Sequence, residues 1–376
     1  MVTDSLRILQ VIDTGGPGGA ETVFLQLATG LSKSAIVTTA AVGYDTWLAE
    51  RLRAARVSTI VLPAHGSFNV SYLRQLTTII QRSKPDVVIA HLLGPAVYCS
   101  IAGACTQTPV ISIFHGQTDL DPAEKHIAAK TALIRFGSAA CVFVSDELRT
   151  LLGGALRIHP NKQVVIENGI DLSSLSISTA APLRASLNLA PDTYIVGSVG
   201  NIRPAKDYNT LLHAASIAIA REPRLRFVIA GDTNTPLYEE LIGLRERLRL
   251  QAHVHFLGLR DDVSSILKAI DLFVISSSSE GFSIACCEAM GCGVPVVATR
   301  SGGPERILDY GRCGVLVPTA DPPALAAAVI RMMNSPQATT QMSALAAARV
   351  RQCYGSEAML DAYASLICRL SKRRTA

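Results

Sequence analysis

Aromatic and charged residues are both scarce in this chain of 376 residues, at 5% and 17% of the total. There is a single Trp, and no basic stripe is interleaved with aromatic side chains, so the sequence does not indicate nucleic-acid binding. The net charge of +5 is mild and is compatible with anionic ligands or with an acidic membrane surface.

Three further absences narrow the class of protein. No apolar run reaches about 18 residues, so no transmembrane helix is expected, and the polar start of the sequence shows no signal peptide. The nine cysteines form no framework and include no C-x-x-C pair, which predicts reduced thiols in a cytoplasmic protein. No His/Cys cluster has the spacing of metal ligands, so neither a metal nor a cofactor is predicted.

What the sequence does contain is a regular alternation of short apolar runs and helical patterns, once in each half. Chains longer than about 250–300 residues usually form more than one core. The alternation predicts right-handed crossovers and parallel sheets covered on both faces. The pattern breaks near residue 169, and the Ser-, Ala- and Pro-rich residues 172–192 are the best linker candidate. We therefore predict an α/β protein with two Rossmann-like, doubly wound parallel-sheet domains, at residues 1–175 and 190–354.

Six strands are predicted in each half from the apolar runs. Those of the first half are residues 7–12, 35–42, 58–62, 86–91, 110–114 and 140–144. Those of the second half are residues 195–199, 226–230, 254–257, 272–275, 294–298 and 314–317. Helices are predicted at residues 20–31 and 72–81, and an amphipathic helix at residues 357–370.

Residues 276–299 carry two carboxylates, Glu280 and Glu288, eight residues apart. Glu280 is expected on a loop at the carboxyl end of a strand, where open α/β sheets bind ligands, and Glu288 within the following helix. The backbone N–H groups of Phe282 and Ser283 are expected to be free at the helix start, ready to hold an anion. This order suits a nucleotide-sugar, although a glutamate pair alone is also typical of a helix-start acid and a solvated helix residue.

Two cations, Arg203 and Lys206, follow the first predicted strand of the second half. They suit a diphosphate, with Arg as a planar fork and Lys as a point charge, and an exposed surface pair is the alternative interpretation. A further group of small residues, at 301–305, predicts a second set of backbone amides before a helix.

The first half offers a glycine-rich turn and a histidine at a strand end. Gly18 and Gly19 open a helix, where bare amides can approach a phosphate or a sugar closely, and a flexible turn is the alternative. His115 ends a predicted strand and precedes Gly116. His91 also ends a strand and is the rival candidate.

Residues 280–298 resemble the donor-binding motif of retaining glycosyltransferases of family 4. That motif is E-G-F-x-x-x-x-x-E-A-M-x-x-G-x-P-V-V-A, and every fixed element is present in order. The glycine-rich turn resembles the family's entry loop. The His115–Gly116 pair is similar to its strand-end His-Gly, whose backbone carbonyl or imidazole contacts the transferred sugar. Residues 199–206 resemble V-G-R-L-x-x-x-K, except that Asn201 replaces the Arg and Arg203 follows two positions later.

The resemblance implies a GT-B architecture, in which the two domains face a cleft and a helix within residues 355–376 packs back on the first domain. It implies a retaining, metal-independent enzyme that moves a sugar from a nucleotide-diphosphate sugar to an acceptor hydroxyl, without a cofactor. The implied catalytic residues are His115, Arg203, Lys206 and Glu280. The implied donor-binding residues are Gly18, Gly19, Phe282, Ser283 and Glu288.

The resemblance also implies an acceptor and a place of action. The acceptor would be a sugar, a polysaccharide or a lipid-linked molecule in polysaccharide, lipopolysaccharide or glycolipid biosynthesis. The enzyme would be cytoplasmic, with peripheral contact to the inner face of the membrane left open. Two other interpretations remain: a sugar-nucleotide 2-epimerase of the same architecture, and a noncatalytic protein that binds nucleotide-sugars.

Overall fold

The computed structural model describes residues 5–63, 69–119, 124–177, 179–180 and 182–372. Its contacts divide the chain into two units, each built around its own parallel sheet. The first unit comprises residues 1–169 and 356–376, and the second comprises residues 170–355.

The first unit contains a seven-stranded parallel sheet in the order β3-β2-β1-β4-β5-β6-β7. Its strands are β1 (Leu6–Ile12), β2 (Ile36–Val42), β3 (Ser58–Val61), β4 (Val87–His91), β5 (Val110–Phe114), β6 (Ala140–Phe143) and β7 (Gln163–Val165). The strand order reverses between β1 and β4, and such a reversal opens a crevice for ligands at the carboxyl ends. The two central strands β4 and β5 are buried along their whole length.

Six helices connect these strands. They are α1 (Gly19–Gly30), α2 (Trp47–Ala54), α3 (Val70–Ser83), α4 (Leu93–Thr106), α5 (Ile127–Gly137) and α6 (Asp146–Ala155). With right-handed crossovers, the reversal of strand order places the connecting helices on both faces of the sheet. Short 3₁₀ turns lie at Leu31–Ser34, Gln117–Asp119 and Pro160–Lys162.

The second unit contains a six-stranded parallel sheet in the order β10-β9-β8-β11-β12-β13. Its strands are β8 (Tyr194–Val199), β9 (Leu225–Ala230), β10 (Val254–Gly258), β11 (Leu272–Ile275), β12 (Val296–Thr299) and β13 (Val315–Val317). The reversal of order falls between β8 and β11, the strands that precede the Lys206 loop and the Glu280 loop.

Nine helices belong to the second unit's described residues. They are α7 (Leu172–Ile177), α8 (Leu183–Ser186), α9 (Tyr208–Arg221), α10 (Pro236–Arg247), α11 (Val263–Leu267), α12 (Ile284–Gly291), α13 (Gly303–Ile307), α14 (Pro322–Met333) and α15 (Pro336–Cys353). Further 3₁₀ turns lie at Pro204–Lys206 and Asp309–Gly311.

The segment predicted as a linker, residues 172–192, is structured in the second unit. It forms α7 and α8, and Leu175 and Leu183 are both buried. A Cβ on Gly291 would lie 2.6 Å from a methyl of Leu175, so α12 packs closely here. The linker prediction was wrong because isolated leucines in a Ser/Ala-rich segment are enough to dock it. Residues 178 and 181 lie outside the described part.

The last helix, α16 (Ser356–Lys372), packs within the first unit, against α1, β4 and the Leu31–Ser34 turn. A Cβ on Gly30 would collide with the side chain of Leu360, which explains the glycine at the end of α1. The buried face of α16 consists of Met359, Tyr363, Leu366, Ile367 and Leu370. None of the helices in the described ranges has the length and apolar character needed to span a lipid bilayer.

Candidate functional site

Lys206 and Glu280 meet at the carboxyl edge of the second unit's sheet, beside the reversal of strand order. Lys206 Nζ lies 2.6 Å from Glu280 Oε1, and the same oxygen accepts a hydrogen bond from the Ser277 hydroxyl at 2.6 Å. The Glu280 side chain is only 9% exposed, whereas that of Lys206 is 27% exposed. The structure therefore brings together two of the predicted site residues, which are 74 positions apart.

Serines that follow β11 fix the Lys206 loop. The Ser276 hydroxyl donates to the carbonyl of Lys206 at 2.8 Å, and the Ser278 N–H donates to the carbonyl of Ala205 at 2.8 Å. Directly after Lys206, Asp207 caps α9 by accepting the N–H of Thr210 at 3.2 Å. Ser276 and Ser278 thus fix the backbone of the Lys206 loop, and the Lys206 ammonium remains available to pair with Glu280.

The backbone of Glu280 is held by the turn before α13. The Glu280 N–H donates to the carbonyl of Ser301 at 2.8 Å, and the Gly303 N–H donates to the carbonyl of Glu280 at 3.0 Å. Gly302 has φ of 113°, and its N–H donates to the carboxylate of Glu305 at 2.9 Å. The N–H groups of residues 301–303, expected to bind an anion, therefore donate to the chain itself, and that of Gly303 holds Glu280.

The N–H groups of Phe282 and Ser283 have no acceptor in the described part of the chain. Ser283 precedes α12, and its hydroxyl makes no capping hydrogen bond. Phe282 packs edge-to-face against Tyr354, with ring centroids 5.6 Å apart. A small recess is lined by Lys206, Glu280 and Ser283 among others. The Lys206 ammonium and the free Ser283 amide at this recess, with the free Phe282 amide next to it in the chain, are groups of the kind that bind phosphate.

Glu288 lies in the second turn of α12 and does not line this recess. Its carboxyl group is partly buried and has no hydrogen-bond partner among the described residues. Burial raises its pKa to about 7. An unpartnered carboxylate of this kind is free to accept hydrogen bonds from hydroxyl groups of a ligand.

Asn201, which occupies the position of the family's Arg, ties two loops of the second unit together. Its side-chain oxygen accepts the N–H of Asp232 at 3.0 Å, so it joins the loops that follow β8 and β9. Arg203 is exposed, and its side chain makes no hydrogen bond or ion pair with the described residues. The structure therefore does not bring Arg203 to Glu280, and its diphosphate role stays a prediction.

In the first unit, the two candidate histidines contact each other. His115 Nε2 and His91 Nδ1 are 3.1 Å apart, and the stacked rings have centroids 5.2 Å apart. His91 Nε2 lies 3.2 Å from Gln10 Oε1. Burial lowers the pKa of His115 to about 3 and that of His91 well below its ordinary value. Both rings are therefore neutral at physiological pH, and neither can act there as a cation.

Three acids near His115 were missed by the sequence reasoning. Asp119 accepts the backbone N–H groups of His115 and Gly116, at 2.5 and 3.2 Å. Burial, with repulsion from Glu21 as a smaller cause, raises the pKa of Asp119 to about 7 and that of Asp13 to about 6. Asp13 lies directly after β1 and Glu21 in the first turn of α1, positions that could have been noticed, whereas Asp119 lies in the Gln117–Asp119 turn.

Gly18 and Gly19 lie at the start of α1, next to the carboxylate of Glu21. A Cβ on Gly18 would collide with the carboxylate of Glu21, a buried side chain without a hydrogen-bond partner in the described ranges. A carboxylate over the helix start has the wrong sign for a phosphate. The donor-binding role of Gly18 and Gly19 stays a prediction, and these contacts favour hydroxyl groups over phosphate as the ligand.

Two family models together match most of the chain. Residues 17–174 match Glycosyltransferase Family 4, and residues 180–349 match Glycosyl transferases group 1. The N-acetyl-alpha-D-glucosaminyl L-malate synthase of Bacillus anthracis is 24% identical over 309 residues, which cover 80% of this chain and 78% of that protein.

Other relatives match over a shorter span. The D-inositol 3-phosphate glycosyltransferase 2 of Catenulispora acidiphila is 34% identical over 201 residues, or 51% of this chain. The match covers 46% of that relative, so the chain spans about half of its length. Among solved structures, Anabaena HepE in complex with UDP-glucose superposes with a TM-score of 0.85 at 22% identity, covering 97% of this chain and all of that one. This likeness shows a shared two-sheet fold.

Proposed function

From the premise that the chain belongs to the glycosyltransferases of group 1 and family 4, we propose that it transfers a sugar from a nucleotide-diphosphate sugar to an acceptor hydroxyl, with retention of configuration. The observation that carries this proposal is the Lys206–Glu280 pair beside the free amides of Phe282 and Ser283. Since the HepE structure contains UDP-glucose, a UDP-sugar is the donor to test first.

Lys206 and the two amides are the groups we assign to the diphosphate. Glu280 neutralises Lys206, whose Nζ lies 2.6 Å from Glu280 Oε1. When the diphosphate binds, the ammonium exchanges this carboxylate for phosphate oxygens, and Glu280 becomes free to accept hydroxyl groups of the sugar. Charge that develops on the leaving diphosphate then meets a preorganised cation and two N–H dipoles.

The transfer is a substitution at the anomeric carbon through an oxocarbenium-like state. The bond from that carbon to the phosphate oxygen breaks, and a bond to the acceptor oxygen forms on the same face. The acceptor proton passes to an oxygen of the departing phosphate, so no covalent nucleophile of the protein is required. Glu288, with its unpartnered carboxylate, is assigned to the ribose hydroxyls, and Arg203 to the diphosphate from its exposed loop.

We propose that this enzyme needs neither a cofactor nor a divalent cation, because Lys206 and the amides of α12 supply the positive charge. EDTA is therefore expected to leave the initial rate unchanged. Complete loss of activity with EDTA, restored by magnesium or manganese, would contradict this part of the proposal.

For the acceptor, we propose a sugar, a polysaccharide or a lipid-linked sugar, used in polysaccharide, lipopolysaccharide or glycolipid biosynthesis. Glu21 and Asp13 support this class, because carboxylates without a cationic partner accept hydrogen bonds from hydroxyl groups and repel anions. A lipid-linked acceptor would bring the enzyme to a membrane surface, and this contact is part of the proposal.

A calorimetric screen of nucleotide-sugars, followed by product analysis with sugar and membrane-lipid acceptors, tests the function. We expect one UDP-sugar to bind, and NMR of the product to show the anomeric configuration of the donor. The donor incubated without acceptor separates the alternatives, because a 2-epimerase would isomerise it. Binding without any turnover would support a noncatalytic protein, and the absence of nucleotide-sugar binding would overturn the proposal.

A further inference from the structure

The side chain and the backbone N–H of His115 are closed off from a ligand. Its Nε2 lies 3.1 Å from His91 Nδ1, its backbone N–H donates to Asp119, and its Nδ1 is buried without a hydrogen-bond partner among the described residues. The backbone carbonyl also has no hydrogen-bond donor in the ranges that the structure describes. His115 ends β5 at the carboxyl edge of the sheet, so this carbonyl is the group that it can offer to a ligand.

Asp119 determines how the His115–Gly116 peptide is held. One oxygen, Oδ2, accepts both N–H groups, at 2.5 and 3.2 Å. The Asp119 N–H in turn donates to the carbonyl of Gly116 at 3.2 Å, which closes the turn. Two bonds to consecutive amides fix the plane of the peptide between them, and the His115 carbonyl is part of that peptide.

We propose that Asp119 is a positioning residue for the transfer reaction, which fixes the His115–Gly116 peptide so that the His115 carbonyl can bind a hydroxyl of the transferred sugar. This inference rests on the proposed function. Asp119 itself does not touch the substrate in this assignment, and its effect passes entirely through the backbone that it holds.

Because Asp119 can ionise, the strength of its hold on the His115–Gly116 peptide should depend on pH, which would not be true of a turn without an ionisable group. Burial, together with repulsion from Asp13 and Glu21, raises the pKa of Asp119 to about 7 against the lowering effect of the two backbone hydrogen bonds. His115 is neutral, and α6, which packs against the Gln117–Asp119 turn, uses Arg149 to pair with its own Asp146. Within the described residues, no cation offsets these effects. The ionised carboxylate accepts the stronger hydrogen bonds, so the peptide is held best above pH 7.

Two variants of the full chain and one control test the inference. Asp119→Ala removes both hydrogen bonds, and Asp119→Asn keeps a neutral acceptor of the same shape. Asp86→Asn is the matched control, because Asp86 also accepts a backbone N–H, from Arg7 at 2.8 Å, but at the opposite edge of the sheet. The measurements are kcat/KM for transfer between pH 6 and pH 8, around the Asp119 pKa of about 7, and the Kd of UDP.

Asp119→Ala is expected to lose on the order of 10²-fold in kcat/KM, the effect of misplacing a contact by about 1 Å, with UDP affinity unchanged. Asp119→Asn should retain most of the activity found at pH 6 and lose the rise between pH 6 and pH 8 that Asp119 gives the wild type. Glu288 and Asp13 titrate in the same window, but they are present in both proteins, so the difference between the profiles belongs to Asp119.

Wild-type turnover in Asp119→Ala, or an unchanged pH profile in Asp119→Asn, would overturn the inference and leave the proposed function standing. If Asp119→Ala does not fold, the pH profile of Asp119→Asn still decides. A wild-type protein that neither binds UDP-sugars nor transfers sugar would overturn the proposed function, and this inference with it.

Discussion

The carboxyl edges of the two sheets differ in their electrostatics although their topologies are alike. At the edge of the second unit, Lys206 faces Glu280, and two backbone amides are free. At the edge of the first unit, Asp13, Glu21 and Asp119 lie near neutral histidines, and no described cation acts on the pKa values of Asp13 and Asp119. Topology places a ligand site at both edges, and the loops decide which ligand chemistry each edge can serve.

This difference divides the proposed substrates between the two units. A diphosphate requires positive charge, and the second unit supplies it with an ammonium and a helix start. Hydroxyl groups require hydrogen-bond acceptors. Glu280 and Glu288 of the second unit are assigned to hydroxyls of the donor, and the first unit supplies further carboxylates and a free carbonyl at His115. The predictions below test this division, starting with the one that should have the largest effect.

Deleting residues 356–376 should unfold the first unit while leaving the second unit's nucleotide site. The deletion exposes the surface that five buried side chains of α16 cover, and losing one such side chain costs roughly 2–5 kcal/mol. The sum approaches or exceeds the roughly 5–15 kcal/mol that stabilises a typical domain. Thermal unfolding followed by circular dichroism should show the loss, and UDP binding by calorimetry should persist.

Point variants on α16 provide the matched control. Tyr363→Ala removes a fully buried ring and should lower the midpoint of unfolding strongly, whereas Asp361→Ala changes an exposed residue and should have little effect. Equal behaviour of these two variants, or a truncated protein with unaltered stability, would show that α16 is not part of the first unit's core.

Lys206→Ala should reduce kcat by roughly 10²–10³-fold, since losing one preorganised charge at a developing anion costs about 2.7–4 kcal/mol. Arg203→Ala should cost less, because the Arg203 side chain is exposed and makes no hydrogen bond or ion pair with the described residues. Steady-state kinetics with a saturating donor measures both effects. A Lys206 variant as active as the wild type would remove the diphosphate from this edge and with it the division between the units.

Glu280→Gln and Glu288→Gln should differ in kind. Glu280 faces Lys206 in the recess and is assigned to the sugar, so its replacement should mainly lower kcat. Glu288 lies outside the recess and is assigned to ribose, so its replacement should weaken UDP binding by a few-fold to about tenfold, the loss of one hydrogen bond to a charged group. Identical kinetic and binding profiles for the two variants would contradict the separate roles.

Glu288 also makes stability depend on pH. Its folded-state pKa of about 7 is above the ordinary 4.5, so folding favours the protonated form. The contribution of the protonated Glu288 to the free energy of unfolding is fully present below about pH 4.5 and is lost as the pH rises through 7. Glu288→Gln should therefore stabilise the protein more at pH 8 than at pH 5, by on the order of 1 kcal/mol or more. If Glu288→Gln changes the melting temperature equally at pH 5 and pH 8, the Glu288 carboxyl group is well solvated.

The fold could be predicted because buried parallel strands appear as continuous apolar runs. The runs at residues 110–114 and 272–275 match β5 and β11 at both ends, and most others lie within one residue of the observed strands. Strand β7 was missed because three partly buried residues do not form a recognisable run. The resemblance of residues 280–298 predicted the family, and the two family models confirm it. The likeness to the HepE structure confirms the predicted fold.

The site was only partly predictable because several of its groups depend on contacts distant in sequence. Nothing in the sequence near Asn201 shows that its amide binds Asp232, or that Arg203 is left exposed. The N–H groups of Gly302 and Gly303 look free in the sequence, but they donate to the carboxylate of Glu305 and to the carbonyl of Glu280. Asp119 was overlooked because its role depends on a turn whose geometry no motif encodes.

The position of α16 in the chain has a consequence for biosynthesis. Because residues 170–355 are inserted between the two parts of the first unit, the ribosome completes the second unit before it produces the helix that the first unit needs. The first sheet must therefore wait, with the surface that α16 will cover still open, while a whole second domain is translated. The nascent first unit is then a natural client for chaperones, and the second unit can reach its native state first.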